Sequence, residues 1–227
     1  MKDPFAEPAD TRQAILGAAF RALCEHGYAD LTIKRIGEEF DKSPSLVYHH
    51  YDGKDELLVD LLGFLLDGFE ESVSEGAFDM TPREQLDTYV AATTDPDSIP
   101  GEYGPDGRFM TAIVELRAQA ATDEAYRDHF DRSDRVFGSY LERTVREAAV
   151  EVREATAEVR DETGDADRSD ATADPVSPAE VASTLQTLAT GGMLRWATTT
   201  DREWTDDTRR GIDRYVETVL PRVETDA

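Results

Sequence analysis

The chain has 227 residues and a mass of 25.2 kDa, which allows one large domain or a small domain joined to a larger one. Its 24 basic residues face 49 acidic ones, a net charge of −25, and its single cysteine, Cys24, excludes a disulfide-built fold. Residues 1–10 show no apolar run of a secretory signal, and the most apolar stretch, residues 57–66, carries Asp60 and is too short to span a bilayer, so a soluble, cytoplasmic protein is expected.

The charge is unusual in kind as well as size. There are 20 Arg and only 4 Lys, no Asn, and 27 Asp against 22 Glu. The acids run through the whole chain instead of forming one tail. That pattern is similar to proteins from organisms with molar intracellular salt; an acidic interaction protein or a largely disordered chain is the alternative. Leu, Ile, Val and Phe make up 47 residues, just above the composition at which chains lean towards disorder, so periodicity has to decide whether a core exists.

Periodicity is helical almost throughout. Residues 11–26 place Ile15, Ala18, Ala19, Ala22 and Leu23 on one stripe, with Asp10 as N-cap and Gly27 as stop signal. A short helix over residues 33–40 follows, capped by Thr32. Ser43 caps another, with Pro44 at its first position, and Asp52-Gly53 ends it. Longer helices are predicted over residues 54–75 and 82–93, then a Pro/Gly/Asp loop over 95–106 and a helix over 107–121. Residues 123–162 read as one long helix whose second half, rich in small residues and charge, is expected to fray or project into solvent. The acidic residues 164–176 read as a mobile loop.

Ser177 with Glu180 is a capping box. It opens a helix to about residue 199 with Val181, Leu185, Leu188, Gly192 and Trp196 aligned. The last helix starts at Asp206 or Asp207 and aligns Ile212, Tyr215, Val216, Val219 and Val223. The expectation is an all-α protein: three short helices, then about six longer ones.

The informative stretch is residues 15–58. Two short helices joined by a tight turn have the geometry of a helix-turn-helix, whose second helix fits the DNA major groove. Thr32, at a helix start, offers its hydroxyl or backbone N–H groups to a phosphate. Tyr48 and Lys54 are placed to reach flanking phosphates. All four lysines (Lys2, Lys34, Lys42, Lys54) fall in the first 54 residues, yet residues 1–60 hold 7 basic and 12 acidic residues, so charge alone argues against DNA.

Several short runs occur here in order: Ile15-Leu16-Gly17-Ala18-Ala19-Phe20, Gly27-Tyr28, Leu31-Thr32-Ile33-Lys34-Arg35-Ile36, Ser43-Pro44-Ser45-Leu46-Val47-Tyr48-His49-His50-Tyr51 and Lys54-Asp55-Glu56-Leu57-Leu58. Together they resemble the N-terminal domain of the TetR/AcrR transcriptional regulators, in an acidic, haloarchaeal-type version. The resemblance covers about a fifth of the chain. It implies a three-helix DNA-binding domain over residues 1–54 and a larger helical effector-binding and dimerisation domain over 55–227.

It also implies DNA contacts from Thr32, Lys34, Lys42, Ser43, Ser45, Leu46, Tyr48, His49 and Lys54. In the turn, Asp41 and Lys42 stand where the family usually has Gly and an apolar residue. No Arg, Lys, Asn or Gln lies between Ser43 and Tyr51, so bidentate base contacts from that helix are absent and specificity per base should be modest.

The resemblance further implies that some body aromatics and methionines line a pocket for a small apolar effector. The candidates are Phe64, Phe69, Tyr89, Phe109, Met110, Ile113, Phe130, Phe137, Met193 and Trp196, with Arg117 and His129 as polar anchors; each is also an ordinary core or surface position. The last two helices are the expected homodimer interface. Residues 101–107 lack the context of a phosphate loop, and no H-E-x-x-H, paired cysteines or G-x-x-x-x-G-K-[ST] occurs, so neither an enzyme, a cofactor nor a metal is expected. Two rivals stay open: a helical sensor or scaffold that has lost DNA binding, and an activator of the same fold.

Overall fold

The computed structural model describes residues 5–40, 45–76, 79–98, 107–163 (side chains through 157) and 176–221. Among them the regular structure is helical: α1 Thr11–Asp30, α2 Ile33–Glu38, α3 Ser45–His50, α4 Lys54–Ser74, α5 Pro82–Thr94, a 3₁₀ turn Pro96–Ser98, α6 Gly107–Gln119, α7 Glu124–Thr163, α8 Pro178–Thr198 and α9 Trp204–Val219. No helix among the described residues is long and apolar enough to cross a membrane.

Local chemistry sets most of the boundaries. The Asp10 carboxylate accepts from the Gln13 backbone N–H at 2.8 Å and starts α1. Thr81 with Glu84 and Ser177 with Glu180 form reciprocal capping boxes, each followed by a proline at the first helical position, where no N–H is needed. Gly27 interrupts α1 at φ 70°, ψ 168°, and one further turn follows it. Regular helix thus stops at Gly27, as the sequence predicts. The last begins at Trp204, two residues before the predicted Asp206, because Trp204 is itself buried and its indole N–H donates to the Asp201 carbonyl at 2.9 Å.

Two apolar clusters organise the molecule. The first joins α1, α2, α3 and the start of α4 (Ile15, Leu16, Leu23, Ile36, Val47, Leu57, Leu58, Leu61) to Leu116 of α6 and Tyr126 and Phe130 of α7. Packing thus runs without a gap across the boundary expected at residue 54. The second cluster joins α5, α7, α8 and α9 through Leu86, Val90, Leu141, Val145, Val181, Leu185, Ile212 and Val216.

Gly192 brings the α8 and α5 backbones together: a Cβ there would lie 2.9 Å from the Thr93 carbonyl oxygen. Leu188, expected on the inward stripe of α8, is 40% exposed; Ala189 takes the buried position beside it. The 40 residues of α7 make a helix of about 60 Å. Residues 149–157 contain no fully buried side chain, although Ala149 still packs against the second cluster. The predicted loops over 99–106 and 164–175 lie outside the described residues.

Candidate nucleic-acid interface

The recognition helix α3 is held by one face. Val47 is fully buried and Tyr51, just past its end, is 7% exposed, while Leu46 turns partly into the head core. Helical spacing then puts Ser45, Tyr48 and His49 on the opposite face, and all three are exposed, Tyr48 at 64%. Tyr48 does not pack inward. An apolar-backed face offering hydroxyl, phenol and imidazole can make phosphate and groove contacts.

A polar anchor fixes this helix from behind. The Tyr51 hydroxyl donates to Asp60 Oδ2 of α4 at 2.6 Å, and Arg12 of α1 donates to the same carboxylate through Nε at 2.9 Å and through a second guanidinium nitrogen. Burial works against the Asp60 carboxylate, but the bonds from Arg12 and Tyr51 outweigh it and hold its pKa below the ordinary value. Burial, with the bond to Asp60, raises the Tyr51 phenol. The sequence did signal this anchor: Asp60 is the lone charge inside the most apolar stretch of the chain.

The other predicted contacts fall as follows. Thr32 is exposed; its Oγ1 accepts from the Arg35 backbone N–H at 3.2 Å, capping α2 and leaving its O–H to donate outward. Lys34 is exposed and 3.8 Å from Glu38. Lys42 and Ser43 lie outside the described residues. Lys54 is half-buried: its ammonium donates to the Tyr28 carbonyl at 3.0 Å and sits 4.0 Å from the Tyr28 ring centroid. The structure thus binds Lys54 to the head itself.

The predicted effector residues divide between two places. Phe64, Phe109, Ile113 and Phe130 belong to the first cluster, where Phe64 stacks on Phe5 and Phe109 meets Phe20 at a tilt. Phe69, Tyr89 and Phe137 gather further along α4, with Phe69 and Phe137 centroids 4.6 Å apart. Met110 and Trp196 are buried and Met193 half-buried. An open groove of about 380 Å³ runs between α4 and α7 over Phe69, Val73, Val136 and Tyr140, rimmed by Arg135 and Arg143; of the predicted residues only Phe69 lines it.

Arg117 pairs with Asp134 at 2.5 Å and lies over Phe130. His129 is half-buried at α7, where burial, then the nearby Arg132, lower its pKa to about 4.

The signature of the bacterial regulatory proteins of the TetR family matches residues 15–61, the span that carries this anchored helix pair. The head is thus similar to the N-terminal domain of the TetR-family regulators. Over 143 residues the chain is 29% identical to the HTH-type transcriptional repressor AcnR of Corynebacterium glutamicum, covering 61% of this chain and 68% of that one. It is 32% identical to the HTH-type transcriptional regulator BetI of Brucella anthropi over 82 residues, 35% of this chain and 42% of that one.

The crystal structure of a TetR transcription regulator from Haloarcula marismortui superposes with a TM-score of 0.65 at 28% identity, covering 92% of this chain and 97% of the other. Relatives and fold alike are those of DNA-binding transcriptional regulators, which are not enzymes.

Proposed function

We propose that this TetR-type chain is a ligand-responsive repressor that binds a pseudo-palindromic operator as a homodimer in a salt-rich cytoplasm. The observation that carries the reading is the outward face of α3, Ser45, Tyr48 and His49, held by buried Val47 and the Tyr51–Asp60–Arg12 anchor. Thr32 and Lys34 extend the contact set at α2. Two heads on successive major grooves of one face of B-form DNA lie about 34–36 Å apart.

The dimer uses α8 and α9, where Leu188 and Leu194 stay exposed at 40% and 54% beside Gly191. A small apolar effector entering among the body aromatics favours one of two head separations, by as much as its affinity for the two states differs.

Salt decides which forces bind DNA. At about 1 M salt the Debye length is about 3 Å, so repulsion from the excess acids is screened along with long-range attraction. Short contacts and shape fit then carry affinity. The likeness to a Haloarcula regulator and the Lys-poor acidic surface both support this reading. A gel shift with the chain's own upstream DNA should show a complex that survives molar KCl and is lost when salt is lowered; a steep loss with added salt contradicts it.

A second reading has an observation in its favour. The head is net acidic and α3 lacks Arg, Lys, Asn and Gln, as suits a sensor or scaffold without DNA function. Absence of any complex with upstream DNA at every salt concentration selects it. Expression of the neighbouring genes in a deletion strain separates a repressor from an activator.

A further inference from the structure

One residue of the head is gripped by three other helices. Gly27 turns the chain so that Tyr28 leaves the main run of α1 and meets the body. The Tyr28 backbone N–H donates to Glu115 Oε2 of α6 at 2.7 Å. Its carbonyl accepts from Lys54 Nζ, and Lys54 covers its ring. Its hydroxyl donates to Asp55 Oδ1 of α4 at 3.0 Å. The same oxygen accepts from the hydroxyl of Tyr126, on α7, at 3.1 Å, and the two tyrosine rings meet edge-to-face with centroids 6.5 Å apart.

We propose that Asp55, shared between Tyr28 of the head and Tyr126 of the body, is the positioning residue that sets the angle of the DNA-reading head on the body. The inference rests on the regulator reading and names the contact through which body and head are coupled. Apolar packing around Leu57, Leu58 and Leu116 holds the two parts together but tolerates small rotations, because it is not directional.

The hydrogen bonds at Asp55 are directional, and Tyr126 is only 1% exposed, so its hydroxyl has no water to fall back on. A shift of α7 relative to α4 must break the Tyr126 bond or drag Asp55, and Tyr28 follows because it donates to the same oxygen. Glu115 extends the grip to α6. A displacement among the body helices therefore reaches the end of α1 directly, as well as along α4.

Tyr126→Phe and Tyr28→Phe each remove one hydroxyl and keep the ring. Spin labels at Glu38→Cys in the head and Glu147→Cys on α7, in a Cys24→Ser background diluted with unlabelled chain, report the head–body distance. Each single variant should broaden that distribution relative to the parent, and the double variant should broaden it no further, since either loss opens the same link. The thermal midpoint should fall by no more than about 12 °C, the cost of one hydrogen bond to a carboxylate, while affinity for upstream DNA falls about 3- to 10-fold.

Distributions that stay as narrow as the parent's in both single variants overturn the proposal. So does broadening that appears only with a large loss of thermal stability, since that is a merely structural role. The distance measurement needs neither operator nor effector: failure of the unsubstituted protein to bind DNA removes the regulator reading, while unchanged distances remove this one.

Discussion

Replacing Gly27 with alanine tests the seam at its tightest backbone point. Gly27 sits at φ 70°, ψ 168°, a region that only glycine populates freely, and forcing another residue there costs about 1–3 kcal/mol. A Cβ would also stand 3.1 Å from Glu115 Oε2, the oxygen that holds the Tyr28 N–H at 2.7 Å. To make room the carboxylate must move away, and losing a hydrogen bond to a charged group costs about 1.5–3 kcal/mol.

Backbone relaxation that relieves one cost worsens the other, so the two largely add, and the expected loss is about 3–5 kcal/mol. For a chain of this size that lowers the thermal midpoint by about 6–20 °C. Gly63→Ala is the control: it lies inside α4 with nothing within 4 Å of the added Cβ, and should gain up to about 1 kcal/mol from helix propensity. Unfolding of the three proteins at fixed high salt gives the comparison. A Gly27→Ala protein within about 1 kcal/mol of the parent, a third of the smallest loss expected, would refute the reasoning about both strain and carboxylate.

Three further outcomes are expected. Leu188→Glu with Leu194→Glu should give a monomer by light scattering at high salt and abolish DNA binding; a persistent dimer would move the interface away from α8. His129 is carried neutral by the fold with a pKa near 4, against 6.5 for the free side chain. Its stabilisation is therefore complete above pH 6.5 and is lost as pH falls towards 4, by at most about 3 kcal/mol and by less where the ring keeps solvent contact.

His129→Gln should flatten the stability–pH curve in that window, above the range where Asp60 takes up its proton; identical curves would show that the ring is not desolvated. Lys54→Gln should lower stability while leaving the salt dependence of DNA binding unchanged, because Lys54 is committed to Tyr28. A slope reduced by about one would instead put its ammonium on a phosphate in the complex.

Much of the DNA-reading head was legible because its signals are local. Asp10 and Thr32 cap helices through atoms three residues away, and the helical period turns Tyr48 away from buried Val47 on α3. The seam was not legible. Tyr28, Asp55, Glu115 and Tyr126 are up to 98 positions apart, and the sequence around any one of them does not point to the others.

The partner of Lys54 was hidden for the same reason: its spacing suits a phosphate, and the Tyr28 carbonyl it meets here becomes available only once Gly27 has turned the chain. Several of the predicted effector residues fall in two apolar groups, since periodicity tells which way a side chain faces and not which helix it faces.

By itself, then, the sequence determined most of the helices, their caps and the acidic composition, all set within a few turns of chain or by composition. Only the tertiary structure decided that Asp60 anchors the reading helix, that Lys54 belongs to the head, and that α1, α4, α6 and α7 converge on Tyr28. Those depend on which helices pack together, and packing is decided by the summed burial of many side chains, which no single segment carries.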